Sequence, residues 1–88
     1  MIFHINLPEY NKEGLSLEWE ENSILSVMFD KDENTLAIGG NREGLVSLAR
    51  HLLTLAQENV PIGYHIHLDD QNSLEAGSCE LIIGKILI

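Results

Sequence analysis

One stretch of this 88-residue chain repeats its apolar residues with the period of an α-helix. Between residues 45 and 56 these residues recur at intervals of three and four: Leu45, Leu48, Ala49, Leu52, Leu53 and Ala56. A helix of this kind buries one stripe, so a single helix can cover one face of one sheet. The spacing predicts that the leucine stripe packs on the sheet, with Leu48 and Leu52 buried, and that His51 and Thr54 lie on the opposite, polar side.

Both ends of this helix are marked by residues that favour helix termini. Asn41 follows two glycines and is the predicted N-cap, because its side-chain oxygen can accept a free N–H of the first turn. At the other end, Asn59 can adopt a left-handed conformation, and Pro61 cannot continue a helix. The helix is therefore predicted to begin after Asn41 and to end near Asn59.

Alternating apolar and polar residues predict four strands before the helix and two after it. The predicted strands are 3–7, 15–20, 24–29, 35–38, 64–68 and 79–88. The charged loop at residues 30–34 suits a hairpin between the third and fourth strands. The prediction is an α+β fold, a two-layer sandwich in which a mainly antiparallel sheet of about six strands (β-β-β-β-α-β-β) carries one helix on one face. The 88 residues form a single domain, 1–88.

One face of the predicted sheet has no helix to cover it, so its residues should be polar. Strand 24–29 is expected to direct Leu25, Val27 and Phe29 into the core. The residues expected on the open face are His4, Asn6, Glu18, Glu20, Ser26, His65 and His67. A polar, acidic and uncovered sheet face is a natural docking surface.

The balance of charge is strongly acidic, with five Lys and Arg against fourteen Asp and Glu, a net charge of −9. Such a field repels nucleic acids and anionic membranes, so neither is an expected partner. It attracts basic proteins and speeds their encounter. The acids predicted to meet such a partner lie in the first third of the chain: Glu18, Glu20, Asp30, Asp32 and Glu33. The alternative is that the charge only keeps the domain soluble.

Targeting signals and cysteines add little to this description. No apolar run approaches the ~18 residues that a membrane helix needs. The N-terminal residues lack the positive leader of a secretory signal, so the expected location is the cytoplasm. Cys79 is the one cysteine and is expected to be a small core residue.

The motif most suggestive of chemistry is His65-Ile66-His67-Leu68-Asp69. Residues two apart in a strand share a face, so His65 and His67 point the same way, and Asp69 would continue that face. Two imidazoles at this spacing can bind one metal ion, which leaves a metal-dependent hydrolase as one alternative. The others are a docking role and an ordinary pair of polar residues on the solvated side of a strand.

The second half of the chain resembles the immunity protein 32 family of bacterial polymorphic toxin and contact-dependent inhibition systems. The resemblance covers roughly residues 36–83 and rests on the segments 41–53, 63–69 and 74–83. That family is α+β and has a histidine-x-histidine motif and an aspartate, which His65, His67 and Asp69 match. The resemblance implies a protein that binds a cognate toxin domain in the producing cell and blocks it.

Charge, size and resemblance together predict a non-catalytic toxin inhibitor that needs no cofactor and no metal. The toxin would be a nuclease or another enzyme with a basic cleft, and the predicted contact residues are His65, His67, Asp69 and the five acids named above. Two alternatives from other classes stay open. One is the metal-dependent hydrolase built on the histidine motif, and the other is a homodimeric structural module that pairs its free sheet face or an edge strand.

Overall fold

A computed structural model describes residues 1–87, which contain one helix and four strands. The elements are β1 (Leu25–Asp30), β2 (Thr35–Gly40), α1 (Arg42–Leu55), β3 (His65–Leu68) and β4 (Leu81–Gly84). The strands form two antiparallel sheets of two strands each, β1 with β2 and β3 with β4. The α+β class is thus confirmed, but in the described part of the chain two small sheets replace the predicted six-stranded sheet of a two-layer sandwich.

Residues 1–24 are not paired into either sheet. Two predicted strands are therefore not found, 3–7 and 15–20. Side chains from later in the sequence bind this segment instead. Arg50 Nε donates to the carbonyl of Asn6 over 3.2 Å, and the Tyr64 hydroxyl accepts the N–H of Leu15 over 2.9 Å. Alternation predicts an extended backbone, but whether a neighbouring strand is present depends on distant parts of the chain.

The predicted ends of two later elements also differ from the structure. The helix ends at Leu55, with Ala56 as a right-handed C-cap rather than Asn59 as a left-handed one. The last strand, predicted over 79–88, is confined to Leu81–Gly84 in the described residues, and Ile88 lies outside them.

The core joins both sheets through β1 and β3. Its fully buried members are Leu25 and Val27 from β1, Leu68 from β3 and Leu74 from the following loop. Segment 75–79 lies along the outer edge of β1, where the N–H groups of Glu75 and Cys79 donate to the carbonyls of Leu25 and Val27. Trp19, Leu48 and Cys79 pack around this cluster. Phe29 lies beyond it and is 55% exposed, so its predicted place in the core was wrong.

The orientation of α1 is opposite to the one predicted. Its buried residues are Gly44, Ser47, His51, Thr54 and Leu55, while Leu45, Ala49, Leu52, Leu53 and Ala56 are exposed. Leu48 is half-buried against the core, but Leu52 is 45% exposed, so only part of the predicted leucine stripe reaches the sheet.

Contacts at the start of α1 explain this orientation. Asn41 Oδ1 accepts the N–H of Gly44 over 2.7 Å, as the predicted N-cap should, and also the N–H of Ile24 over 2.9 Å. Gly44 lies so close to the chain that a Cβ there would stand 1.9 Å from the carbonyl oxygen of Ile24. One turn later, Ser47 Oγ accepts the N–H of Glu20 over 2.8 Å. Small and hydrogen-bonding residues thus bring the helix backbone close to residues 20–24, which turns the leucines outwards.

Candidate functional site

The β3–β4 hairpin places both histidines of the motif on one exposed face, as predicted. Ile66 and Leu68 point into the protein, and His65 and His67 point outwards. In the register of the hairpin His67 lies opposite Ile82, which is 55% exposed. Glu80 adjoins the same surface. We refer to His65, His67, Glu80 and Ile82 as the histidine face.

The two imidazoles of the histidine face contact each other edge to face. Their ring centroids are 4.9 Å apart and the rings are inclined by 63°. His65 Nδ1 lies 3.1 Å from the carbonyl oxygen of Gly63, and His67 Nδ1 lies 3.3 Å from Glu80 Oε2. About half of each side chain of the His67–Glu80 pair is exposed. The face therefore offers ring nitrogens, a carboxylate and an apolar side chain to a partner.

Asp69 lies beyond the end of β3 and has a different environment from the two histidines. Its Oδ1 accepts the N–H groups of Gln71 and Asn72 over 2.9 and 3.1 Å. Its own N–H donates to Asn72 Oδ1, and Asn72 Nδ2 donates to the carbonyl of His67. The carboxylate thus orders the loop after β3, where it helps to fix the end of the strand that carries the histidines.

A metal site would need further ligands beside the histidine pair. Within residues 1–87, no three His, Cys, Asp or Glu side chains are grouped closely enough to hold a metal ion. Structural and catalytic zinc sites take at least three protein ligands. The pair as placed here supplies two.

The acids of the β1–β2 hairpin tip form a compact exposed group. Asp30 Oδ1 accepts the N–H groups of Asp32 and Glu33 over 3.0 and 3.3 Å, which fixes the turn. Asn34 completes the turn with a positive φ of 51°, a conformation that asparagine tolerates well. The carboxylates of Asp32 and Glu33 are left free to solvent among the described contacts.

Glu18 and Glu20 do not share a strand face, because the segment that carries them is not a strand. Glu18 is exposed. Glu20 is half-buried, and its Oε1 lies 3.6 Å from Arg50 Nη2. The predicted acidic contact residues therefore fall in separate places, with Glu20 already engaged within the chain.

Two members of the histidine face, Glu80 and Ile82, were not predicted as site residues. The signal was present in the sequence, because residues 80–83 alternate and a strand paired with β3 must place one of the two sets beside the histidines. Which of the two sets lies beside the histidines depends on the register of the hairpin, because a shift of one residue would move every side chain to the other face.

A third histidine, His51, lies inside the protein rather than on the helix's solvent side. It is 1% exposed, neither ring nitrogen has a hydrogen-bond partner, and its ring lies edge to face with Trp19 at 4.4 Å. Burial, together with the positive charge of Arg50, lowers the pKa of His51 from 6.5 to about 4. It is therefore neutral at pH 7 and contributes to packing.

Comparison with known proteins identifies the family. Residues 35–86 match the family model of immunity protein 32, a span that includes β2, α1, β3, β4 and the whole histidine face. No curated protein and no solved structure gave a match. Among the described residues, no helix has the length and apolar character to cross a membrane. Because the family model covers more than half of the chain, the protein belongs to the immunity protein 32 family.

Proposed function

We propose that this protein is a non-catalytic inhibitor that binds a cognate bacterial toxin domain and blocks it in the cytoplasm of the producing cell. The observation that carries the proposal is the family match over residues 35–86, whose histidine motif lies on an exposed strand face. The toxin would belong to a polymorphic or contact-dependent inhibition system and would be a nuclease or another enzyme with a basic cleft.

The chemistry of the histidine face suits a protein partner. An imidazole can donate or accept a hydrogen bond and can stack on aromatic or guanidinium groups. Glu80 offers a carboxylate for an Arg or Lys of the toxin, and Ile82 offers an apolar contact that can be buried. Specific interfaces combine these features around a buried centre. We place the centre of the contact on His65 and His67, with Asp69 acting by holding the loop beside them.

The acidic groups would act mainly before contact is made. A net charge of −9 draws a basic toxin towards the chain, and Asp32 and Glu33 present free carboxylates on an exposed turn. The remaining predicted acids, Glu18, Glu20 and Asp30, would contribute to the same field. Salt should therefore slow association steeply and change dissociation less. An association rate that is the same at low and physiological salt would leave the charge with a role in solubility only.

The test is protection of cells that express the toxin domain encoded next to this protein's gene. The parent chain should restore growth, and a His65→Ala/His67→Ala variant should restore it less. His4→Ala is the matched control, because His4 is an exposed histidine outside the histidine face. Asp69→Asn is assayed separately, since loss of its loop contacts could shift the strand end. Melting curves of all variants show which remain folded.

Two results would count against the proposal. If the parent protects against no neighbouring toxin, the inhibitor function is wrong. If the folded double variant protects as well as the parent, the contact lies elsewhere, and the hairpin of Asp30, Asp32 and Glu33 becomes the next candidate. Binding of purified toxin should be unchanged by a chelator, whereas a metal-dependent mechanism would be lost with the metal.

A further inference from the structure

The outer edge of β2 is a sheet edge without the usual protection. In the described chain β2 pairs only with β1, while the other edge of β1 is covered by segment 75–79. All six residues of β2 are exposed, and the sequence Thr-Leu-Ala-Ile-Gly-Gly has no charge and no proline. Natural edge strands are usually kept apart by charges, prolines or bulges. The absence of these in β2 indicates an edge that is used for pairing.

The chain exposes more surface than a folded monomer of its mass is expected to expose. The chain exposes 6348 Å², whereas a folded monomer of its mass is expected to expose about 5,200 Å². Its radius of gyration is 13.8 Å, against about 12 Å expected for 88 residues. Part of this excess of about 1,100 Å² lies on the β1–β2 hairpin, where Met28, Phe29, Leu36 and Ile38 are 43–55% exposed. A standard interface buries ~800 Å² of each partner.

From the free edge, its uncharged sequence and the excess surface, we infer that two copies of the chain associate by antiparallel pairing of β2 with β2 of a second copy. The two hairpins then form one four-stranded sheet. This inference is independent of toxin binding, because it concerns a different edge from the histidine face and needs no toxin for its test.

Symmetry and side-chain pattern fix the register of the pairing. A two-fold axis through two antiparallel strands requires one residue of β2 to lie opposite its own copy, because directly opposed residues share a face. With Ala37 in that position, Leu36 lies opposite Ile38 of the second copy, on the side that faces the core. Side chains that lie side by side across the four strands are then apolar in both copies. One row runs from Phe29 and Leu36 of one copy to Ile38 and Val27 of the other. The next runs from Met28 and Ala37 of one copy to Ala37 and Met28 of the other, with the two Ala37 residues opposed.

Exposed apolar residues and charge both suit this pairing. Leu36 and Ile38 are 50% and 43% exposed although they extend the core side of the hairpin, so the pairing would cover them. In the same register the hairpin turn that carries Asp32 of one copy comes near Arg42 at the start of α1 of the other. Arg42 has no ion pair in the described chain, and its guanidinium lies 5.9 Å from the ring of Phe3. A carboxylate is also favoured at a helix N-terminus.

Sedimentation equilibrium on the unmodified 88-residue chain gives the first test, and the expected mass is twice 9.9 kDa. Ala37→Lys should weaken the dimer by at least about tenfold, because it places two like charges against each other on the axis. Thr35→Lys is the matched control on the same exposed face of β2. It lies opposite Gly39 of the second copy, so it should leave the dimer nearly unchanged.

Cross-linking tests the register itself. In a Cys79→Ala background, Ala37→Cys should form a disulfide between copies on mild oxidation. Thr35→Cys should not, because the two copies of residue 35 would lie about 13 Å apart, beyond the ~7 Å limit for a disulfide. If the chain is a monomer at high micromolar concentration, the inference is wrong. Pairing of β2 with an added strand peptide would not rescue it, because the inferred partner is a second copy of the chain. A dimer that is insensitive to Ala37→Lys, and that forms no cross-link in the Ala37→Cys variant, would overturn it as well.

Discussion

The two faces of α1 differ in an unexpected way: the buried face consists mainly of small and polar residues, and the exposed face carries most of the leucines. The face packed on the protein has one leucine, Leu55, beside Gly44, Ser47, His51 and Thr54. The face turned outwards has Leu45, Leu52 and Leu53. Hydrophobicity alone would orient the helix the other way. Close approach explains the difference, since the inner face lets the helix backbone reach Ile24 and bond to it through Asn41. Backbone contacts and hydrogen bonds at one end of a helix can therefore decide which stripe is buried.

Gly44→Ala should have the largest effect on stability. The added Cβ would meet the backbone oxygen of Ile24, which cannot move as the end of a side chain could. We expect a loss of about 4 kcal/mol or more in the free energy of unfolding. Ala49→Gly makes the reverse change on the outer face and should cost only ~1 kcal/mol. Urea denaturation of both variants measures the difference, and equal losses would contradict the orientation of the helix.

Leucine truncations compare the core with the outer face directly. Leu25 is 1% exposed, so Leu25→Ala should cost about 2–5 kcal/mol through lost burial and the cavity left behind. Leu52 is 45% exposed, and Leu52→Ala should cost less than about 1 kcal/mol. Denaturation curves for the two variants provide the measurement. A large loss in the free energy of unfolding from Leu52→Ala would indicate that the leucine stripe is buried after all.

His51 makes the stability of the inner face depend on pH. Its folded pKa of about 4 lies below the ordinary value of 6.5, so the unfolded chain binds a proton first as the pH falls. The free energy of unfolding should therefore decrease between pH 6.5 and about 4, by up to ~3 kcal/mol from this residue. His51→Leu should lack this part of the decrease. Parallel pH slopes for the parent and the variant would show that His51 is not buried as described.

Polar substitution on the outer face should have the smallest effect. Leu53 is 48% exposed. Leu53→Gln puts a polar side chain of nearly the same size where an apolar side chain meets solvent. The expected change in the free energy of unfolding is within about 0.5 kcal/mol. Thr54→Val, one residue along on the inner face, removes a hydroxyl that donates to the Arg50 carbonyl over 2.7 Å and should change stability more.

Local patterns in the sequence predicted β1, β2, α1 and β3 near their observed positions, together with the cap at Asn41 and the outward direction of His65 and His67. These features depend on neighbours within a few residues, and alternation or capping chemistry reports them directly. The pairing of residues 3–7 and 15–20 and the buried face of α1 depend on contacts with distant segments. No local pattern contains those contacts.

The environment of the predicted site residues shows the same division. The alternation of β3 placed the two histidines together, whereas Asp69 is directed by the loop that follows and Glu20 by Arg50 across the chain. His51 was assigned to solvent because its helix has a leucine stripe. The recurrence of Gly44, Ser47 and His51 at helical spacing was the competing signal for a closely packed face.

The most direct test of the proposed function is the affinity of the folded His65→Ala/His67→Ala variant for the cognate toxin domain. Both histidines are exposed, so the variant should unfold at nearly the same urea concentration as the parent. Titration calorimetry should then show binding weakened by at least about tenfold, with His4→Ala matching the parent. Equal affinity in the parent and the folded double variant would contradict the assignment of the toxin contact to the histidine face.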